Sequence, residues 1–269
     1  MDQNIQQQWP VLLDSVREAA RDIFQHAKAG RQLTQRKSDG SLLTATDIAL
    51  QESISKILSN HFPAIPVLGE EMTEDEQAAI LATGSCWLLD PLDGTSNFSH
   101  GIPVYSVSLA LMQQGEVVAG MVYDPNREEC FHALKGQGAY LNQQALNRRD
   151  DEPCQLKHSM AMIDTKRLPT KLAVAIATEN PYHSQRSFGS VAIDWCWLAA
   201  GRIQTYLHGK QKLWDFAAGA LVAQEAGCLT VTMQDAPILG APLSLTARSA
   251  VGACPSIATI WPEWIRKHS

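Results

Sequence analysis

The run Trp87-Leu88-Leu89-Asp90-Pro91-Leu92-Asp93-Gly94-Thr95-Ser96-Asn97-Phe98 drives an apolar segment into two carboxylates and then into a Gly-Thr turn. Two acids this close at a strand end repel one another, so that one takes up a proton or both recruit a cation. Gly94 lets a backbone approach a ligand closely, and a helix opening at Thr95 or Ser96 turns free N–H groups and the positive end of its dipole toward an anion. The layout is that of a site for metal and phosphate. A second acidic cluster, Gly69-Glu70-Glu71, closes the apolar run Ile65-Pro66-Val67-Leu68. A third acid, Asp215 in Trp214-Asp215-Phe216, stands at the mouth of an Ala-rich helical stretch from Asp215 to Ala226, ended by Gly227. Oxygen ligands drawn from three segments suit Mg²⁺ better than zinc, because no Cys or His recurs at ligand spacing.

Taken singly, Glu70 and Glu71 read as a solvated helix cap and Asp215 as an N-cap beside a packed Trp. Asp90 and Asp93 are different, because Pro91 and Gly94 constrain the turn around them.

The elements that must carry these acids follow from apolar periodicity. Val11 to Ala29 sets Leu12, Val16, Ala19, Ala20, Ile23, Phe24 and Ala27 on one helical stripe, and Ile48 to Leu58 repeats the pattern after Thr46-Asp47. Between them the polar segment Lys37 to Asp47 reads as a mobile loop near the site. Strands are predicted over Tyr105 to Met112, Val117 to Tyr123 and Cys130 to Leu134, joined by Gln113-Gln114-Gly115-Glu116 into an antiparallel meander. Gly136-Gln137-Gly138 turns into another short hairpin. Arg148 to Pro153 is a polar break, dividing an N-terminal α+β half, residues 1–150, from a C-terminal α/β half, residues 151–269. In the second half a strand at Leu172 to Ala177, a helix at Ser190 to Ala200, a strand around Ile203 to Leu207, the helix after Asp215 and a strand at Cys228 to Met233 are expected.

Composition bounds the function. The 269 residues suffice for one compact enzyme with 45% hydrophobic residues, and a net charge of −6 without a Lys/Arg run argues against a nucleic-acid surface. The start lacks a basic, then apolar, leader pattern and no stretch approaches the ~18 apolar residues of a membrane span, which reads as a cytoplasmic chain without membrane contact. Six scattered cysteines without a C-x-x-C read as buried free thiols.

In chain order the segments Lys37-Ser38-Asp39-Gly40-Ser41-Leu42-Leu43-Thr44-Ala45-Thr46-Asp47, Gly69-Glu70-Glu71, Asp90 to Phe98, Gly189-Ser190 and Trp214-Asp215-Phe216-Ala217-Ala218-Gly219 resemble the inositol monophosphatase family of Mg²⁺-dependent, lithium-sensitive phosphatases. The resemblance implies a five-layered α/β/α/β/α sandwich of the sugar phosphatase type, usually a homodimer, and two or three Mg²⁺ per subunit. By matching positions, one ion would be bound by Glu70, Asp90 and the Leu92 carbonyl, a second by Asp90, Asp93 and Asp215, and a weaker third near Glu70. Such ions, roughly 3.5–4 Å apart, stabilise the attacking and leaving oxygens of an in-line displacement. The resemblance also implies a catalytic group of Glu70, Thr95 and Asp47, the last two orienting a metal-bound water. Phosphate would rest on the N–H groups of Gly94 and Thr95 with Lys37 nearby, and the alcohol over Asp93, Gly189, Ser190, Val191, His208 and Asp215. Covalent alternatives fit less well. Aspartyl-phosphate chemistry of the haloacid dehalogenase type needs two aspartates separated by one residue, where Asp90 and Asp93 are separated by two, and no G-x-S-x-G elbow occurs.

At one position the chain departs from the resemblance. Inositol-specific members carry a glutamate seven positions before the Trp-Asp aspartate, and this chain has His208 there. Histidine donates or accepts and can become a cation. With Lys210 and Lys212 on the basic segment Leu207 to Lys212, read as a loop, it keeps fructose-1,6-bisphosphate, adenosine-3′,5′-bisphosphate and histidinol phosphate open beside inositol 1-phosphate. A regulatory protein- or RNA-binding role is the alternative of another class.

Overall fold

The computed structural model describes residues 3–27, 34–36, 42–149 and 151–269. The first half runs through α1 (Gln3–Ala27), β1 (Thr34–Arg36), β2 (Leu42–Thr44), α2 (Ala45–His61), β3 (Val67–Gly69), α3 (Glu74–Leu81), β4 (Cys86–Asp93), α4 (Thr95–Ser99), β5 (Ser106–Gln113), β6 (Glu116–Asp124), β7 (Glu129–Leu134), β8 (Ala139–Leu141) and β9 (Gln144–Leu146). The second runs through β10 (Met160–Asp164), α5 (Thr170–Glu179), β11 (Ser184–Arg186), α6 (Val191–Ala199), β12 (Thr205–Gln211), α7 (Leu213–Glu225), β13 (Leu229–Val231), β14 (Arg248–Ala253) and α8 (Ile260–His268).

Strands β3 to β9 form a seven-stranded sheet in sequence order, parallel only between β3 and β4. The second sheet has the order β11-β10-β12-β14-β13. Alternation along the strands sends successive side chains into different layers. From β4, Trp87 and Leu89 join the Leu12, Val16, Leu50 and Ile54 stripe of α1 and α2, whereas Leu88 packs with α6 and α7. Residues Met162, Tyr206 and Ala250 of the five-stranded sheet close on those same two helices, and Ile163, Leu207 and Val251 point outward to Leu172 of α5 and Trp261 of α8. The result is an α/β/α/β/α sandwich whose middle layer is α6 and α7.

A middle layer needs helices buried on every side, and the sequences AIDWCWLA and FAAGALVA supply them. Small residues set the spacing. A Cβ on Gly219 of α7 would stand 2.8 Å from the Trp195 Cβ and 2.9 Å from the Ala192 carbonyl of α6, so only glycine allows these helices to meet.

Three sequence expectations need correction. Leu172 to Ala177 is part of helix α5, not a strand; Leu172, Ala175 and Ile176 are its buried face, at helical spacing that a short apolar run conceals. Helix α1 begins at Gln3 and passes through Pro10, because Ile5 and Trp9 extend its buried stripe one turn and more toward the N-terminus. The basic segment read as a loop is largely strand β12, with Tyr206, Leu207 and His208 buried.

Candidate active site

Strand alternation alone would send Asp90 and Asp93, three residues apart, to opposite faces of the sheet. They do not go there. Asp90 pairs with Ser108 and Asp93 with Ser106, so three steps on β4 match two on β5 and the extra residue is absorbed in a bulge around Pro91. The bulge resets the parity and turns both carboxylates toward one cavity. Gly94 follows at φ 95°, a conformation that L side chains resist, and α4 opens immediately after it.

The cavity, about 220 Å³, is lined by Glu70, Asp90, Leu92, Asp93, Gly94, Thr95, Gly189, Ser190, Val191, His208 and Asp215, together with Asp164, Arg167 and Asp194. Glu70 arrives from the end of β3, held by its N–H to the Leu89 carbonyl at 3.0 Å. Asp215 sits in the first turn of α7, where its carboxylate accepts the Lys212 N–H at 2.9 Å, and the Ser108 hydroxyl donates to the adjacent Trp214 carbonyl at 2.8 Å. That bond ties the start of α7 to β5. Asp93 accepts from the Ser190 hydroxyl at 2.6 Å and the Ala192 N–H at 2.8 Å, capping α6 and joining the two halves across the site. Asp90 accepts the Leu92 N–H at 2.9 Å.

Asp47 does not line the cavity. It lies buried in the first turn of α2, where one carboxylate oxygen accepts the N–H and hydroxyl of Thr44, and the other stands 3.3 Å from the Thr95 hydroxyl. The same hydroxyl is 2.9 Å from the Leu92 carbonyl. Lys37 lies outside the described residues.

Crowded acids in a dry site resist ionising. Burial first, and then the charges of Glu70, Asp93 and Asp215, push the Asp90 carboxyl well above its ordinary value. Asp215 is pushed up likewise, by burial and by Asp93 and Glu70. Asp93 rises to about 6, burial outweighing its bonds from Ser190, Ala192 and Val191. This donor set fits a hard divalent cation: Glu70, Asp90, Asp93, Asp215 and the Leu92 backbone share one cavity, and a cation relieves the repulsion that, beside burial, raises the pKa values of Asp90, Asp93 and Asp215. As their side chains lie, no three of the described His, Cys, Asp or Glu residues stand in ligating geometry, and Glu70 hydrogen-bonds Asp90. A bound ion would replace that contact.

The inositol monophosphatase family model matches residues 4–264. The chain belongs to the inositol monophosphatase family. Nus factor SuhB of Pasteurella multocida is 34% identical over 229 residues, covering 83% of this chain and 82% of that one. Inositol monophosphatase 1 of Solanum lycopersicum is 35% identical over 198 residues, 71% of this chain and 72% of its own. The crystal structure of the extragenic suppressor protein suhB from Bartonella henselae superposes with a TM-score of 0.82 at 25% identity, covering 97% of this chain and 99% of that one. The chain is thus a member of a metal-dependent phosphatase family with the layered sandwich fold.

The far wall of the cavity is built from the second half of the chain. His208 on β12 lies beside Asp164 on β10 in register, and its Nε2 is 3.0 Å from the Asp164 carboxylate. Its Nδ1 accepts the Lys210 N–H at 3.2 Å, the arrangement of a neutral ring with its proton on Nε2. Arg167 reaches the same Asp164 oxygen at 3.3 Å. The hydrogen bond from His208 leads the causes that hold Asp164 below the ordinary carboxylate range. Lys210 is exposed and Lys212 stands at the mouth of α7, so neither lysine of the basic segment lines the cavity. Asp164, Arg167 and Asp194 escaped sequence reasoning. Asp194 alone carried a signal, as the single charge in a helix otherwise apolar on every side.

Proposed function

We propose that this chain is a Mg²⁺-dependent phosphomonoesterase that hydrolyses the monophosphate of a small hydroxyl-bearing alcohol, of the inositol 1-phosphate type, by in-line attack of water. The observation that supports it most is the β4 bulge, which brings Asp90 and Asp93 to one side with Glu70, Asp215 and Thr95 around a single cavity. Mg²⁺ held by Glu70, Asp90, the Leu92 carbonyl, Asp93 and Asp215, two or three ions per subunit, would lower the pKa of water and offset charge on phosphate.

The remaining roles belong to the protein. With its proton directed to Asp47, the Thr95 hydroxyl keeps a lone pair to accept a hydrogen bond from the attacking water, which Glu70 helps to orient. Thr44 holds Asp47 in place. The N–H groups of Gly94 and Thr95 would receive the phosphate, with Lys37 as an added cation. Asp93, Gly189, Ser190, Val191, His208 and Asp215 would face the alcohol. A second phosphate fits poorly, because His208 is turned to Asp164, whose carboxylate adds negative charge at that end. Phosphate release with Mg²⁺ from inositol 1-phosphate, fructose-1,6-bisphosphate, adenosine-3′,5′-bisphosphate and histidinol phosphate tests the reading. Monophosphates should be cleaved at least tenfold faster, with lithium inhibiting; bisphosphate preference would overturn it.

The relative named Nus factor SuhB supports a second reading, a regulatory role for the same fold through a protein or RNA partner. A partner captured equally by wild type and by catalytically dead Asp90→Asn would establish that role beside the chemistry. Light scattering should report a homodimer, and cell fractionation a cytoplasmic protein.

A further inference from the structure

A pair of thiols meets outside the active site. Cys154 Sγ lies 3.4 Å from Cys254 Sγ, although the two residues are 100 positions apart in the chain. Cys154 belongs to the irregular connector between the two halves, and Cys254 follows the last residue of β14. Neither lines the active-site cavity. The connector is held at two points. At its start the buried Arg148 bonds Asp151 and donates to the Leu198 carbonyl of α6 at 2.7 Å. At its end the Cys154 N–H donates to the Ser256 hydroxyl at 3.1 Å, and the side chain packs against the outer apolar cluster that contains Ile257 and Trp261.

The surroundings suit exchange between thiols and a disulfide, which needs an accessible thiolate and a second thiol beside it. Cys154 alone among the six cysteines is only half-buried. Cys86, Cys130, Cys196 and Cys228 are buried, and burial pushes their thiols up, to about 12 for Cys86, Cys130 and Cys228, so that they offer little thiolate near neutral pH. Ser256 serves both sulfurs of the pair: its Oγ is 3.3 Å from Cys154 Sγ and 3.4 Å from Cys254 Sγ. Having accepted the Cys154 N–H, that hydroxyl keeps its own proton for whichever sulfur is anionic. Burial holds the Cys254 thiol above its ordinary value, while the Ser256 bond and the Arg148 charge pull it back. An accessible attacking thiol and a sheltered resolving thiol are therefore in contact.

We propose that Cys154 and Cys254 form a reversible disulfide that fastens the connector to the end of β14. With oxidised glutathione as the oxidant, the Cys154 thiolate attacks one glutathione sulfur and releases the first glutathione thiolate. The Cys254 thiolate then attacks the Cys154 sulfur and releases the second. Two cysteine thiols are oxidised, one glutathione disulfide is reduced to two thiols, and the cysteine protons pass to the departing thiolates. The full chain, treated with oxidised glutathione at mildly alkaline pH, is followed by thiol titration, mapping of disulfide-linked peptides and Tm. Wild type should lose two thiols and yield one linked pair containing Cys154 and Cys254. Its Tm should rise by about 5 °C or more, because the bond closes a loop whose ends are 100 positions apart. Dithiothreitol should reverse all three changes. Cys254→Ser should stop at a glutathione adduct on Cys154, and Cys154→Ser should take up no glutathione and show no rise in Tm. A stable glutathione adduct on wild-type Cys154, linkage through any other cysteine, or a Tm that does not rise once the bond has formed overturns the proposal. Should Cys254→Ser not fold, wild type and Cys154→Ser decide it between them.

Discussion

The two ends of the cavity are built differently. At one end Asp90, Asp93, Gly94 and Thr95 are sequence neighbours on one strand and turn, fixed by a bulge and anchored by backbone N–H groups. At the other, Asp164 and Arg167 from the end of β10, Asp194 from α6 and His208 from β12 come from three separate segments, and Asp164 is held by side-chain contacts from Arg167 and His208. Chemistry common to a family calls for the rigid, locally encoded end. Choice among alcohols can be assembled from side chains that change without disturbing the bulge.

That contrast breaks first at Asp90. Asp90→Asn should lower Mg²⁺-dependent phosphate release by at least about 10³-fold while circular dichroism stays native, since on the proposed reading the variant would lose a metal ligand and also relieve repulsion. Near wild-type turnover would remove Asp90 from the metal site. Thr95→Ala comes next, with kcat down by roughly 10²–10⁴ and KM little changed, the range for a positioned proton transfer. Calorimetric loss of Mg²⁺ binding in that variant would make Thr95 a ligand holder instead.

At the far end effects should be smaller and fall on KM. His208→Glu sets a second carboxylate where Nε2 now meets Asp164 at 3.0 Å. It should raise KM for inositol 1-phosphate by about three- to tenfold, under ~1.4 kcal/mol, with kcat nearly unchanged. An improved kcat/KM would mean that the Asp164 contact yields to the glutamate and that His208 merely occupies the position.

The smallest effect is on stability. Asp93 has its folded pKa raised to about 6 from 3.8. The folded state therefore holds the proton longer than the unfolded chain, and this group's contribution falls as pH rises from about 4 through about 6. Measured in EDTA, the melting temperature of wild type relative to Asp93→Asn should drop by a few degrees over that interval, and Mg²⁺ should reverse the drop. A difference that is flat with pH would show that Asp93 ionises as freely in the fold as outside it.

How much of this was legible beforehand varies with the range of the interactions. Helix α7 was readable from its Ala-rich run and terminal glycine, and the meander β5 to β7 from alternation and the Gln114-Gly115 turn, since both signals are local. Helix α5 was not, because LAVAIA satisfies a strand and a helix equally until packing against α8 selects the face. The acids of β4 could be named as a site from their spacing alone. Their common direction could not: it depends on a bulge defined by pairing with β5, a partner that lies beyond the turn.

The sequence by itself therefore determined the family, the donor types and the turn that bears them, because contiguous residues encode backbone conformation and ligand chemistry directly. Only the tertiary structure decided that His208 faces Asp164 rather than a second anion, and that the lone acid of α6 lies in the cavity wall. Those facts depend on strand register and helix rotation, set by burial summed over two sheets and the layer between them.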